Sequence, residues 1–253
     1  ESVLLRGSST YYYFLAKRVH NGETRADFTS KNMVITWLEN YIDFFNLSKV
    51  SLNETQDFED LNNVKMVLGI LDNIRNNLLV LLNYLINKFA ANDNLIINLE
   101  SVEKTNLISY IYRSLIDVER YMQKLSFLKE GTILKEEMLS LIENVSLINQ
   151  IFKTMFSKEQ ENYNYSKEFR AYREIDNFAE NFITAYLSLQ DNVAFSEENI
   201  CGLSYGGIEL PIIMKSINDL IENVVVLKFN QNVTGYSMAM LNKVGLIVVK
   251  NLY

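Results

Sequence analysis

The sequence predicts an α+β protein. A mainly α-helical N-terminal domain over residues 1–190 precedes a partial α/β segment with a parallel sheet over residues 191–253. Three observations carry this. From about Ser30 to Gln190 apolar residues recur every three or four positions, which winds them onto one face of a helix. Beyond Asp191 the pattern becomes short apolar runs: Asn199 to Leu203, Val224 to Phe229 and Val244 to Val249. Three of the nine glycines fall close together there, at Gly202, Gly206 and Gly207.

Composition bounds the rest. The chain has 253 residues, 48% of them hydrophobic and 22% charged, enough for a sizeable core. Its net charge of -7 argues against sequence-independent nucleic-acid binding, which needs a basic face to displace counterions. One cysteine, Cys201, cannot form an internal disulfide, and one histidine, His20, cannot supply a histidine-rich metal cluster. The most apolar run, Leu78 to Ile86, is broken by Asn83 and falls far short of the roughly 20 residues a membrane span needs. With neither signal peptide nor cysteine framework, a cytoplasmic protein is expected, and Asn-x-Ser/Thr sites such as Asn53 and Asn232 read as products of abundant asparagine. An initial Glu1 is expected of a processed, trimmed or partly ordered chain.

The elements follow in order. His20-Asn21-Gly22 reads as a turn, because Asn and Gly tolerate positive φ, and suggests a short hairpin at 10–28. Met33, Trp37, Tyr41 and Phe44 share one helix face. Leu61, Val64, Leu68, Leu71, Ile74, Leu78, Leu81, Leu82 and Leu85 extend the pattern over a longer helix. Ser101, Glu103 and Lys104 open a third, carrying Leu107, Ile111, Leu115, Val118, Met122 and Leu125. Thr132 is a candidate cap for a helix over Ile133 to Phe156. Ser166 to Leu189 supplies another, with Phe169, Tyr172, Ile175, Phe178, Phe182 and Tyr186. Helical spacing explains that aromatic stripe as core. The charge runs Lys135-Glu136-Glu137 and Lys158 to Glu161 read as solvated faces and a loop.

The C-terminal segment reads as strand, glycine turn, helix, strand, a βαβ unit. Pro211 locates the helix, since it would cost roughly 3 kcal/mol in a helix interior and almost nothing in the first turn. The helix therefore starts just before Pro211, and Gly206-Gly207 form the turn that feeds it. Amides exposed at such a start, with no Cβ in the way, can hold an anion such as phosphate. Gly202-Leu203-Ser204-Tyr205-Gly206 also matches G-x-S-x-G, a nucleophile elbow. That chemistry needs a histidine to take the serine's proton, and none follows Ser204.

Strand, Gly-Leu-Ser-Tyr-Gly-Gly-Ile-Glu-Leu-Pro, helix and strand resembles the start of a type I phosphoribosyltransferase core. The resemblance covers about the last 60 residues. It implies that Ser204, Tyr205, Gly206 and Gly207 form a pyrophosphate-binding loop, although Tyr205 stands where many members have Arg or Lys. It implies a second phosphate loop at Thr234, Gly235, Tyr236 and Ser237, after two adjacent acids that hold ribose hydroxyls. Phe229 and Asn230 occupy the places of those acids. If Lys243 to Val249 is instead the strand that leads to them, Lys250-Asn251-Leu252-Tyr253 follows, again without acids.

The resemblance implies binding of phosphoribosyl pyrophosphate or a related nucleotide. In an active glycosyltransferase of the family, Mg²⁺ would assist displacement of pyrophosphate from ribose C1. The long helical part suggests self-association or a protein partner, as in a bacterial regulatory or defence effector. A different class of reading is a non-catalytic helical interaction protein whose α/β module is structural. The acidic pair discriminates between the two.

Overall fold

The computed structural model describes residues 30–55, 61–90, 95–100, 106–125, 135–159, 178–191, 199–203 and 208–228. Among them run helices α1 (Lys31–Glu54) and α2 (Leu61–Ala90), strand β1 (Leu95–Asn98), helices α3 (Leu107–Gln123), α4 (Lys135–Ser157) and α5 (Phe178–Asp191), strand β2 (Asn199–Leu203), helix α6 (Glu209–Ile217) and strand β3 (Asn223–Lys228). The fold is thus mostly helical with a small mixed sheet. The hairpin expected at 10–28, Thr132, and the runs 166–177 and 244–249 lie outside the described residues.

Caps set the helix starts. Ser30 Oγ accepts from the Met33 amide at 3.4 Å, and Asn106 Oδ1 accepts from the Ile108 amide at 3.0 Å. Asn106 therefore caps α3, and the helix starts later than the Ser101 signal suggested. Within the solvated run Lys135 is half-exposed, and its Nζ reaches back to the carbonyls of Asn53 and Thr55, at 2.7 and 3.3 Å, closing the end of α1. Glu136 and Glu137 remain exposed in the first turn of α4, where acids complement the helix dipole. Glu159 is not purely solvated either, since its carboxylate pairs with Lys88 and its carbonyl accepts from Lys31 at 3.0 Å.

Helix α2 is the axis of the core. Between Ile70 and Ile86 every side chain is buried except the half-buried Asp72 and Val80. Burying each of its leucines and isoleucines stabilises by about 1.5–3 kcal/mol. Helix α1 packs on α4, α2 on α3, and α3 on both α4 and α6. Aromatic rings join the seams: Tyr84 lies 5.0 Å from Phe156 and 6.0 Å from Phe152 between ring centres. The buried face of α1 is Val34, Trp37, Leu38, Tyr41, Phe45, Ser48 and Leu52. Met33, placed on that face by spacing, is 40% exposed, because the stripe is centred nearer Tyr41 and Phe45. On α5 Phe182 is buried but Tyr186 is 40% exposed, so only part of that aromatic stripe is core.

The sheet has the order β1-β3-β2. Strands β2 and β3 are parallel, with Asn199 opposite Asn223 and Leu203 opposite Leu227, and α6 makes the crossover between them. Strand β1 pairs antiparallel with β3, with Leu95 opposite Lys228. The expected sheet was parallel, so the antiparallel β1 makes it mixed, and β1 is a short strand inside the part expected to be mainly helical. Period-2 alternation sends Val224 and Val226 of β3 into the main core, which also takes Ile208 and Ile212 from the start of α6. The other side of α6, with Ile213 and Met214, packs with Phe182, Ala185 and Ile221 in a smaller cluster. The core therefore continues from α1 through to β3.

Candidate functional site

The parallel pair defines where the glycine-rich connection starts and stops. Because Leu203 is in register with Leu227, the carboxyl ends of β2 and β3 lie side by side. Ser204, Tyr205, Gly206 and Gly207 follow the first of these ends, and Thr234, Gly235, Tyr236 and Ser237 come six or more residues after the second. All eight lie outside the described residues. Around them, Gly202 is buried opposite Val226, and α6 starts at Glu209, which puts Pro211 in its first turn. Cys201 is half-buried at the strand, and burial pushes its thiol above the ordinary range.

Beneath the first turn of α6 lies a buried charge cluster. Arg75, on α2, is 1% exposed. Its Nη1 donates to Glu209 Oε1, while Nε and Nη2 both donate to Asp72 Oδ1, at 3.2 and 3.0 Å. The other oxygen of Glu209 accepts from Asn181 Nδ2 of α5 at 2.7 Å. Glu209 is therefore held from two helices, and α6 has no side-chain cap of its own at Ile208. A guanidinium fork suits this work, because it can face two carboxylates at once.

Electrostatics divide the roles. Burial works against the Arg75 charge, yet Glu209, then Asp72 and Glu119, hold its pKa above the ordinary value. Burial pushes the Glu209 carboxyl above the usual carboxylate range, and Arg75 and Asn181 pull the other way. Glu119 of α3 is fully buried, and neither of its oxygens has a hydrogen-bond partner. Burial first, and then the Glu209 charge, push its carboxyl well above the usual range. Arg120, the next residue, pairs with Asp219, and one turn on Gln123 Nε2 donates to Ser216 Oγ at 2.5 Å, so α3 is also tied to the C-terminal end of α6.

None of Arg75, Glu119 and Glu209 stood out as functional in the sequence, yet Arg75 and Glu119 left signals. Arg75 and Asp72 are the two charges inside the long apolar repeat from Leu68 to Leu85 of α2, where a charge has to be paired. Glu119 lies four residues after Leu115 and three before Met122, on the apolar face of α3.

Phe229 and Asn230 stand where the resemblance would place the two acids that hold ribose hydroxyls, and among the described residues no group of three or more His, Cys, Asp or Glu side chains could hold a metal. No helix of the described residues is long and apolar enough to cross a membrane. No known family, curated protein or solved structure matches the chain.

Proposed function

We propose that the chain binds phosphoribosyl pyrophosphate or a related nucleotide in the manner of a phosphoribosyltransferase-like module, and that its helices engage a protein partner or a second copy. Amides of Ser204 to Gly207 hold the pyrophosphate, and Thr234 to Ser237 take a second phosphate. The reading is one of binding without transfer, because Phe229 and Asn230 replace the acids that would orient ribose. The observation that supports it is the parallel β2–α6–β3 unit, whose adjacent carboxyl ends lead into both glycine-containing segments. Ligands of open α/β sheets gather at such strand ends.

Calorimetry on the full chain with phosphoribosyl pyrophosphate, with and without Mg²⁺, tests this. The unmutated protein gives a binding heat, and Gly207→Val abolishes it by placing a branched side chain where amides must approach. Ser204→Ala weakens binding by only about 1 kcal/mol, the worth of one neutral hydrogen bond. A folded protein that gives no heat removes the reading. It leaves the helical interaction protein, for which Ile183, Tyr186 and Leu187 speak: they lie at i, i+3 and i+4 on α5 and are 50%, 40% and 52% exposed.

A further inference from the structure

Four ionisable groups from three helices meet under the first turn of α6, and their charges do not balance. Arg75 is the one cation of the set, against the carboxyls of Asp72, Glu119 and Glu209. Asp72 is 40% exposed and keeps water on one side. Glu209 takes the inner edge of the guanidinium and the Asn181 amide. Glu119 is left over, wholly buried, with neither oxygen hydrogen-bonded. An ionised carboxylate in that position would be among the costliest groups a protein can bury, whereas a neutral carboxyl is tolerable.

We propose that Glu119 carries a proton in the folded protein and that Asp72, Arg75, Glu119 and Glu209 form a proton-operated latch on the first turn of α6. With the proton on Glu119, Arg75 belongs to Glu209 and the start of α6 is pinned to α2. When the proton leaves to solvent, two buried carboxylates compete for one guanidinium, and the hold on Glu209 weakens. Among the described residues no other cation faces Glu119 to settle the contest. From α2 the groups facing Glu119 are Arg75 and Asp72, and from α6 Glu209. From α4, Glu136 and Glu137 line a separate cleft with Asp117 and Tyr121. Arg120, next in sequence, is turned to Asp219, and Lys215 of α6 lies 3.7 Å from Glu100.

The sign of the linkage follows. Glu119 binds its proton more tightly folded than unfolded, so its contribution to stability is lost as pH rises from the unfolded value near 4.5 towards the folded one. Across that window the unfolding equilibrium constant of the unmutated protein grows by up to about tenfold per pH unit relative to Glu119→Gln, whose amide imitates the neutral carboxyl and cannot ionise.

Two readouts on the full chain decide the matter, and neither needs a ligand, so the latch stands or falls separately from the nucleotide reading. Urea unfolding between pH 5 and pH 8 compares the unmutated protein with Glu119→Gln. Hydrogen exchange, corrected for the intrinsic pH effect, compares residues 208–217 with α4. The expected result is a pH-dependent stability loss that Glu119→Gln removes, with a matching loss of protection in α6 but not in α4. Equal pH dependence in the two proteins overturns the proposal. A stability difference without any change confined to α6 overturns the latch. Should Glu119→Gln not fold, carboxyl ¹³C NMR of the unmutated protein substitutes: a glutamate resonance still at its protonated position at pH 7 supports the proposal, and its absence overturns it.

Discussion

Asn77 of α2 and Asn149 of α4 exchange two hydrogen bonds across a buried seam, Asn77 Nδ2 to Asn149 Oδ1 at 3.0 Å and Asn149 Nδ2 to Asn77 Oδ1 at 2.8 Å. Both side chains are fully buried, so each amide is satisfied chiefly by the other. Asn149 Nδ2 also donates to the Val145 carbonyl at 2.8 Å, which fixes its rotamer. The pair is a register mark, since a one-residue slip of either helix would leave both amides unpaired in an apolar seam.

Truncating one partner therefore costs more than removing both. Asn77→Ala is expected to destabilise by about 1–3 kcal/mol, the desolvation penalty of the orphaned amide, plus the cavity left behind. Replacing both asparagines with leucine, similar in volume, should restore much of that loss. A double-mutant cycle by urea unfolding checks it, and additive effects would show that the pair carries no coupling.

Arg75 should behave as a keystone for α6. Arg75→Met leaves the buried Glu209 charge without its cation and is expected to cost about 3–5 kcal/mol. Adding Glu209→Gln to it should return part of the loss, because the neutral amide still bonds Asn181. Thermal unfolding of the single and double variants reads this directly. A mild effect of Arg75→Met alone would mean that water already shares the Glu209 carboxylate.

Cys201 makes a chemical prediction. Its thiol is half-buried and pushed above the ordinary range by desolvation, so less thiolate is present at pH 8 than in an open chain. Reaction with a disulfide reagent such as DTNB should be slow in the native protein and fast in urea. A native rate matching the unfolded one would place the thiol in a wetter or more electropositive setting than the strand provides.

Much of the architecture was legible because periodicity is a local signal. The spacing of Leu68, Leu71, Ile74 and Leu78 fixes a helix without reference to what packs on it, and Pro211 fixes a helix start by sterics alone. Strand β1 escaped because four residues, Leu-Ile-Ile-Asn, carry no period of their own. They become a strand only through β3, with Asn98 bonded to Asn223 at 2.6 Å. The glycine turn was conspicuous because it departs from local pattern. The charge cluster was not, since Arg75, Glu119 and Glu209 are ordinary helix residues until three helices bring them together. Pairwise proximity across long stretches of chain is what a single sequence conceals.

The position of β3 has a kinetic consequence. It is the central strand, yet its antiparallel neighbour is made far earlier in the chain: Asn98 and Asn223 are 125 residues apart. During synthesis from the N-terminus, α1 to α4 can assemble from contacts much closer in sequence, while the edge of Leu95–Asn98 waits for its partner. Closing so long a loop costs entropy before any strand pairing repays it, so the sheet belongs to the late, slow phase of folding. In that interval β1 is an unpaired edge, and β3 removes the hazard by covering it.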